Sequence, residues 1–170
     1  STEAATAIGD SAATLNGSVN PNGSETKYLY EYGATASYGS KTSEASAGAG
    51  SSPVAKSEAV GSLSPNTTYH YRIVATNENP DPAYGVDQTL RTTGPPTVSI
   101  GTAVLDPNGK AATLNATINP NGHGTTYQFE YGKTSSYGSN VPLTPASVGS
   151  GTSPVNVSEA LTGLEPGTTY

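Results

Sequence analysis

The chain has 170 residues with eleven Tyr, one Phe, no Trp and no Cys, and carries a formal net charge of −6 at a sequence pI near 4.7. Only seven Lys and Arg are present, too few to cluster against phosphates, so a nucleic-acid partner is not expected. Without cysteine there is no disulfide framework, thiol nucleophile or thiolate metal site, and no apolar run approaches the roughly 18–20 residues of a membrane-spanning helix, so no membrane insertion is expected in this segment.

Apolar residues make up 33% of the chain, so any core must be thin, with tyrosine supplying its bulk. Twenty Gly and thirteen Pro could mark disorder, but the charged fraction is 12% and apolar residues alternate regularly, which points to a turn-rich β protein. In chain order, a weak first strand is expected over Ala4–Ile8 and a second over Ala12–Asn20, with Leu15 and Val19 turned inward. Asn20-Pro21-Asn22-Gly23 turns the chain, Gly23 being free to take positive φ. A third strand over Thr26–Tyr32 puts Tyr28, Tyr30 and Tyr32 on one face and Leu29 and Glu31 on the other. Ala34–Gly50 is small, polar and glycine-rich, which suits loops and at most a short edge strand, and a further strand covers Val54–Val60.

Leu63, Pro65 and Tyr69 then bring an apolar plug, a rigid bend and a long ring into one turn, where the ring's hydroxyl can reach back to the backbone. In the strand that follows, Tyr69, Tyr71, Ile73 and Ala75 share the core face while His70, Arg72 and Val74 point outward. Residues 77–82 are dense in turn formers and lead to a last strand over Tyr84–Thr92. Gly94-Pro95-Pro96 reads as a stiffened linker.

The pattern then repeats. Residues 13–23, ATLNGSVNPNG, return as residues 112–122, ATLNATINPNG, and the tyrosine strand 28–33 returns as 127–132. Ser37-Tyr38-Gly39 matches Ser136-Tyr137-Gly138, and the Leu63, Pro65, Tyr69 turn returns as Leu164, Pro166 and Tyr170. A period of about 100 residues suits a complete sandwich domain better than a solenoid unit. Domain 1 is therefore placed at residues 1–93, the linker at 94–96 and domain 2 at 97–170. The matched blocks run out where the second corner strand begins, so the last two strands of domain 2 are expected outside the sequence. Either the chain is a stretch of a longer array, or another chain donates those strands by complementation.

The Leu-x-Pro-x-Thr-x-Tyr turn at Leu63–Tyr69 and Leu164–Tyr170, with the Tyr-x-Tyr-x-Tyr and Tyr-x-Phe-x-Tyr strands, resembles the fibronectin type III domain. In that family the turn lies between the fifth and sixth strands and works as a tyrosine corner. The resemblance covers residues 1–93 and most of 97–170. It implies an all-β protein of two tandem immunoglobulin-like, fibronectin type III-like β-sandwiches, as in large secreted prokaryotic proteins. Two departures stand out: the tryptophan common in the family's second strand is missing, and no Arg-Gly-Asp tripeptide occurs. Family members serve as spacers, adhesive modules or accessories of carbohydrate enzymes, so the resemblance implies no catalytic residues and no cofactors.

The remaining polar residues fit that picture. His70 and His123 fall at non-equivalent positions, so no catalytic triad is expected. Glu31 and Arg72 should face outward on neighbouring strands and form a cross-strand ion pair. Asn77, Glu78, Asn79 and Asp81 offer oxygen ligands for calcium, but a tight connection needs the same residue types and no metal is expected. Tyr38 and Tyr137, each followed by Gly, suit sugar stacking or loop anchoring. Five sequons begin at Asn16, Asn22, Asn66, Asn115 and Asn156, with Asn16 and Asn115 at matching outward positions, so glycosylation is expected to be possible there. The leading expectation is a non-enzymatic extracellular or cell-surface module of a repeat-built stalk, fibre or filament on a microbe. Its partners would be further copies of the repeat, with glycans a further candidate. The alternative is a carbohydrate-binding or adhesive accessory module of a larger secreted protein.

Overall fold

The computed structural model describes residues 1–79 and 81–170; among them the protein is all-β, and every strand pairing is antiparallel. Two compact units divide the chain, Ser1–Gly94 and Pro95–Tyr170. Pro80, within the connection expected at residues 77–82, lies outside the described residues.

Unit 1 is a sandwich of two sheets. One contains β1 (Thr2–Thr6), β2 (Ala13–Val19) and β6 (Val54–Val60), with β2 in the middle. The other is centred on β3 (Thr26–Gly33) and β7 (Thr68–Thr76). On its outer edges, β4 (Ser40–Lys41) and β5 (Ala45–Gly48) pair with β3, and β8 (Ala83–Tyr84) and β9 (Gln88–Arg91) pair with β7. The period-two pattern is realised on β2, where Ala13, Leu15, Gly17 and Val19 are buried and the residues between them are half-exposed. Leu15, Val19 and Val60 from one sheet meet Tyr28, Tyr30, Tyr71, Ile73 and Leu90 from the other.

A core bulked by phenols must provide for their hydroxyls, since an unpaired buried hydroxyl costs on the order of 1–3 kcal/mol. Each long ring crosses the sandwich to a partner on the opposite sheet. The Tyr30 hydroxyl donates to the Lys56 carbonyl at 2.9 Å, Tyr28 to the Glu58 carboxylate at 2.8 Å, and Tyr71 to the Glu3 carbonyl at 2.7 Å. Gly17 makes room for this arrangement, because a Cβ there would stand 3.1 Å from the Tyr30 hydroxyl oxygen.

Four local features differ from the sequence reading. The first strand begins earlier, at Thr2, and bulges between Glu3 and Thr6, which leaves Ile8 exposed. The loop-rich stretch 34–50 carries two short strands; Thr42 joins them to β3 by taking the Tyr30 N–H on its hydroxyl and donating its own N–H to the Tyr30 carbonyl. Val74 is buried although it faces outward. The last strand is not continuous over Tyr84–Thr92: it breaks into β8 and β9, and the Gly85 N–H donates to the Ile73 carbonyl at 2.8 Å. A Cβ on Gly85 would collide with Thr2 and Ile73, so only glycine permits this approach.

Unit 2 places β12 (Ala111–Asn119) between β10 (Thr97–Ile100) and β11 (Val104–Leu105) on one side and β15 (Val155–Thr162) on the other. A second sheet pairs β13 (Thr125–Tyr131) with β14 (Ser139–Gly149), a single long strand where unit 1 has two short ones. Both units turn after the second long strand in the same way. Asn22 and Gly23 take φ of 53° and 86°, Asn121 and Gly122 take 53° and 93°, and a hydrogen bond closes each turn from Ser24 to Pro21 and from His123 to Pro120. Two successive positive φ values define a type I′ turn, here carrying the chain from one sheet to the other, so the asparagine is as necessary to it as the glycine.

Candidate functional site

The richest polar constellation lies on the outer face of β3 and β7 in unit 1. Pairing sets Glu31 opposite Arg72, and the guanidinium donates through Nε and Nη2 to one Glu31 oxygen at 2.9 and 2.7 Å. Lys41 on β4 reaches the other oxygen at 2.9 Å. Lys41 foremost, with Arg72, holds the Glu31 carboxyl below its usual pKa. The same guanidinium lies over two phenol rings, 4.7 Å from the centroid of Tyr38 and 4.1 Å from that of Tyr84.

Tyr38 donates its hydroxyl to Asp87 at 3.0 Å, and His70 Nδ1 meets the other Asp87 oxygen at 2.8 Å. The His70 contact foremost, with Tyr38, holds the Asp87 carboxyl below its usual range. Burial and the Asp87 bond raise the Tyr38 phenol. An imidazole oriented by a carboxylate is half of a hydrolytic triad, but the phenol here bonds to the carboxylate and not to the imidazole. The arrangement is a continuous chain of contacts from Lys41 through Glu31, Arg72, Tyr38 and Asp87 to His70.

Tyr38 sits at φ 61°, a left-handed conformation that a bulky side chain adopts at a cost of roughly 1–2 kcal/mol. Its carbonyl would meet any Cβ on Gly33, which accounts for that glycine; Tyr137 and Gly132 reproduce the arrangement, with Tyr137 at φ 54°. In unit 1 the Arg72 stack and the Asp87 bond offset the strain. In unit 2 Tyr137 is 53% exposed, and Glu130, the counterpart of Glu31, is exposed with no hydrogen bond or ion pair among the described residues.

At the corners, the Ser64 N–H donates to the Tyr69 hydroxyl at 2.9 Å and the Glu165 N–H donates to the Tyr170 hydroxyl at 3.2 Å. Leu63 is buried, its counterpart Leu164 half-buried, and Pro65 and Pro166 lie at the exposed rim. Asn66 at φ 53° and Gly167 at φ 70° occupy the same left-handed step. A residue that sequence reasoning missed is Thr92, fully buried, whose hydroxyl takes the Thr67 N–H and donates to the Ser64 carbonyl. Nothing in a lone threonine at a strand end signals that role.

The five sequons divide by geometry. The Asn16 amide donates to the Ala4 carbonyl at 2.8 Å and to the Thr6 hydroxyl, pinning the β1 bulge, and the Asn115 amide donates to the Thr102 carbonyl at 3.0 Å. Their matched positions thus have a structural cause. Asn66 is half-buried, while Asn22 and Asn156 are exposed, Asn156 accepting from Thr117. Near residues 77–82, the Asn77 and Asn79 side chains accept the backbone N–H groups of Asn79 and Asp81. No group of three His, Asp or Glu side chains among the described residues is placed to hold a metal ion.

Unit 2 has one further feature. Its core is open along β13: a trough of about 790 Å³ is lined by Leu105, Leu114, Tyr131, Leu161, Leu164 and Tyr170. A second opening of about 220 Å³ lies between Val98, Ile100, Ile118 and Phe129. Compared with models of known protein families and with curated proteins, the sequence gives no match.

Proposed function

We propose that the chain is a non-enzymatic structural module of a repeat-built stalk, fibre or filament on a microbial cell surface, composed of fibronectin type III-like, immunoglobulin-like sandwiches. One observation carries this reading: the polar side chains that recur between the units are staples of the fold. Tyr28 and Tyr127 bond to Glu58 and Glu159, Asn16 and Asn115 clamp the neighbouring strand segment, and Tyr69 and Tyr170 bond to their turns. A repeated unit whose shared chemistry is structural has its use in being repeated. Strand order supports the immunoglobulin-like assignment, with β1, β2 and β6 of unit 1 in one sheet and β3 and β7 in the other. Further copies of the repeat are the partners, outside the cell, with exposed Asn22 and Asn156 the open positions for glycans.

The test is the length of particles built from two, four and six copies of residues 1–94, seen by electron microscopy. Stalk or fibre function requires length to grow in proportion to copy number; compact particles whose length does not grow rule it out. A second reading, a carbohydrate-binding accessory module, draws on the exposed Tyr137 ring, a ready stacking surface. Glycan-array binding by the chain, lost in Tyr137→Ala, would favour it; an empty array leaves the scaffold reading.

A further inference from the structure

The geometry points to a carbohydrate-binding platform on the outer face of unit 1: the Tyr84 ring stacks on a neutral hexopyranose unit whose hydroxyls bond to Lys41, Asp87 and His70.

Tyr84 stands opposite Val74 in the β7–β8 pairing, so its side chain shares the outer face with Val74 and Arg72. One side of the ring is braced by the Arg72 guanidinium, 4.1 Å from its centroid. That guanidinium is itself fixed, because Nε and Nη2 both donate to Glu31 and the Tyr38 ring lies 4.7 Å away. The backbone just past Tyr84 is anchored as well, where the Gly85 N–H donates to the Ile73 carbonyl at 2.8 Å. Yet Tyr84 is 56% exposed. A rigidly held ring with this much open surface suits a partner that has an apolar face and a polar edge, and the axial C–H face of a pyranose with its equatorial hydroxyls is such a partner.

The rim supplies both kinds of hydrogen-bonding group. Lys41 spends an N–H on Glu31 and is 64% exposed, which leaves donors to spare. Its ammonium is raised chiefly by the Glu31 bond, and the Tyr84 phenol adds to this, so the hydroxyl end of the ring is within electrostatic reach of Lys41. Asp87 takes Tyr38 on one oxygen and His70 on the other, and each oxygen can accept again. The second imidazole nitrogen, Nε2, has no partner among the described residues. A sugar hydroxyl donates and accepts, so it uses both kinds of group at once. Charge then selects the sugar. Lys41 and Arg72 are cancelled by Glu31 and Asp87, with the imidazole counted neutral, so an acidic sugar finds no net attraction here and is repelled by the −6 charge of the chain. In unit 2 the residue matching Lys41 is Asn140. The platform therefore belongs to unit 1, is separate from the exposed Tyr137 ring, and adds a ligand to the scaffold reading without resting on it.

The experiment titrates the 170-residue chain with cellohexaose, laminarihexaose, mannohexaose and hexagalacturonate, followed by nuclear magnetic resonance. At least one neutral hexasaccharide should bind saturably, shifting the Tyr84 ring protons and the Lys41 and Asp87 amides, with hexagalacturonate about tenfold weaker or worse. Tyr84→Ala should weaken binding about tenfold, and Tyr84→Phe, which keeps the ring, less than about threefold. Lys41→Asn and Asp87→Asn should each weaken it about threefold. Lys41→Asn, an exposed change to the residue unit 2 carries, keeps the test open if Tyr84→Ala alters the β2 and β6 amide spectrum. No saturable binding of the neutral probes, equally tight hexagalacturonate, or affinity untouched by Tyr84→Ala and Lys41→Asn overturns the proposal. Binding that survives Tyr84→Ala and is lost in Tyr137→Ala overturns it too, and supports the accessory-module reading at unit 2 instead.

Discussion

In unit 1 the Tyr30 ring is fully buried with its hydroxyl on the Lys56 carbonyl; at the matching place in unit 2, Phe129 has no hydroxyl, faces Ala116 in place of Gly17, and borders an open cleft. The exchange is compensatory: the phenol needs the space that a missing Cβ leaves, and the benzene ring lets a methyl fill it. Yet the second pair is less protected, and so are its surroundings. Leu15 is completely buried while Leu114 is half-buried, and Ile100 and Leu105 stand 74% and 70% exposed on strands beside β12. The inward faces of the two units carry nearly the same side chains. The difference is β7, which covers that face in unit 1 and has no counterpart among the described residues of unit 2. Alternation creates an apolar face, but burial requires a second layer wide enough to cover it.

Substitutions can break or sharpen this contrast. The largest effect is expected at the central ring. Tyr30→Ala should destabilise unit 1 by about 3–5 kcal/mol, whereas Phe129→Ala should cost unit 2 about half as much, since less of its surroundings is closed. Residue-resolved denaturant unfolding by nuclear magnetic resonance separates the units, and equal losses would remove the contrast.

Alkaline titration comes next. Burial, followed by the bond to Glu58, pushes Tyr28 up from 10.0 to about 12, and burial raises Tyr30 as well. A phenol whose folded pKa exceeds its unfolded value keeps its proton in the fold after the unfolded chain has lost one. The stabilisation is therefore complete below pH 10 and declines as pH rises toward 12, by about 2 kcal/mol for Tyr28 alone. Tyr127 in unit 2 is raised too, chiefly by its bond to Glu159, but it has no buried phenol beside it. Unit 1 should lose more stability across this window, with tyrosinate absorbance appearing as it unfolds; a parallel decline in both units contradicts the difference in closure.

A smaller effect follows from one hydroxyl. Tyr71→Phe leaves the Glu3 carbonyl without its 2.7 Å partner and should cost about 1–2 kcal/mol, with faster hydrogen exchange along β1. An unchanged midpoint would mean that solvent reaches Glu3. The smallest concerns the corner turn, where unit 1 has Asn66 and unit 2 has Gly167 in the same left-handed step. Asn66→Gly should shift stability by less than about 0.5 kcal/mol and Asn66→Ala should lose about 1–2 kcal/mol, measured by thermal unfolding. A neutral alanine would show that the step tolerates any residue.

Much of this was readable beforehand. The strand over Val54–Val60, the inward set Leu15, Val19, Tyr28 and Tyr30, and the Glu31–Arg72 pair all follow from a period of two and from adjacency in one sheet. Less readable were features that depend on two distant segments meeting. The break at Gly85 exists because Thr2 and Ile73 crowd its Cα, and the roles of Asn16, Thr92 and Asp87 rest on partners many residues away. The sequons at Asn16 and Asn115 illustrate the hazard: a modification motif and a structural clamp share the same letters, and only the bonded amide separates them.

What the amino-acid order determined by itself is alternation and turn chemistry, set by steric rules acting over a few residues, and the repeat, which is read by comparing the sequence with itself. The tertiary structure alone decided which apolar faces are covered, which hydroxyl reaches which carbonyl, and that Arg72 lies between two phenols while Tyr137 is exposed. Those outcomes depend on the distance between layers, and that distance exists only after the strands have been brought together.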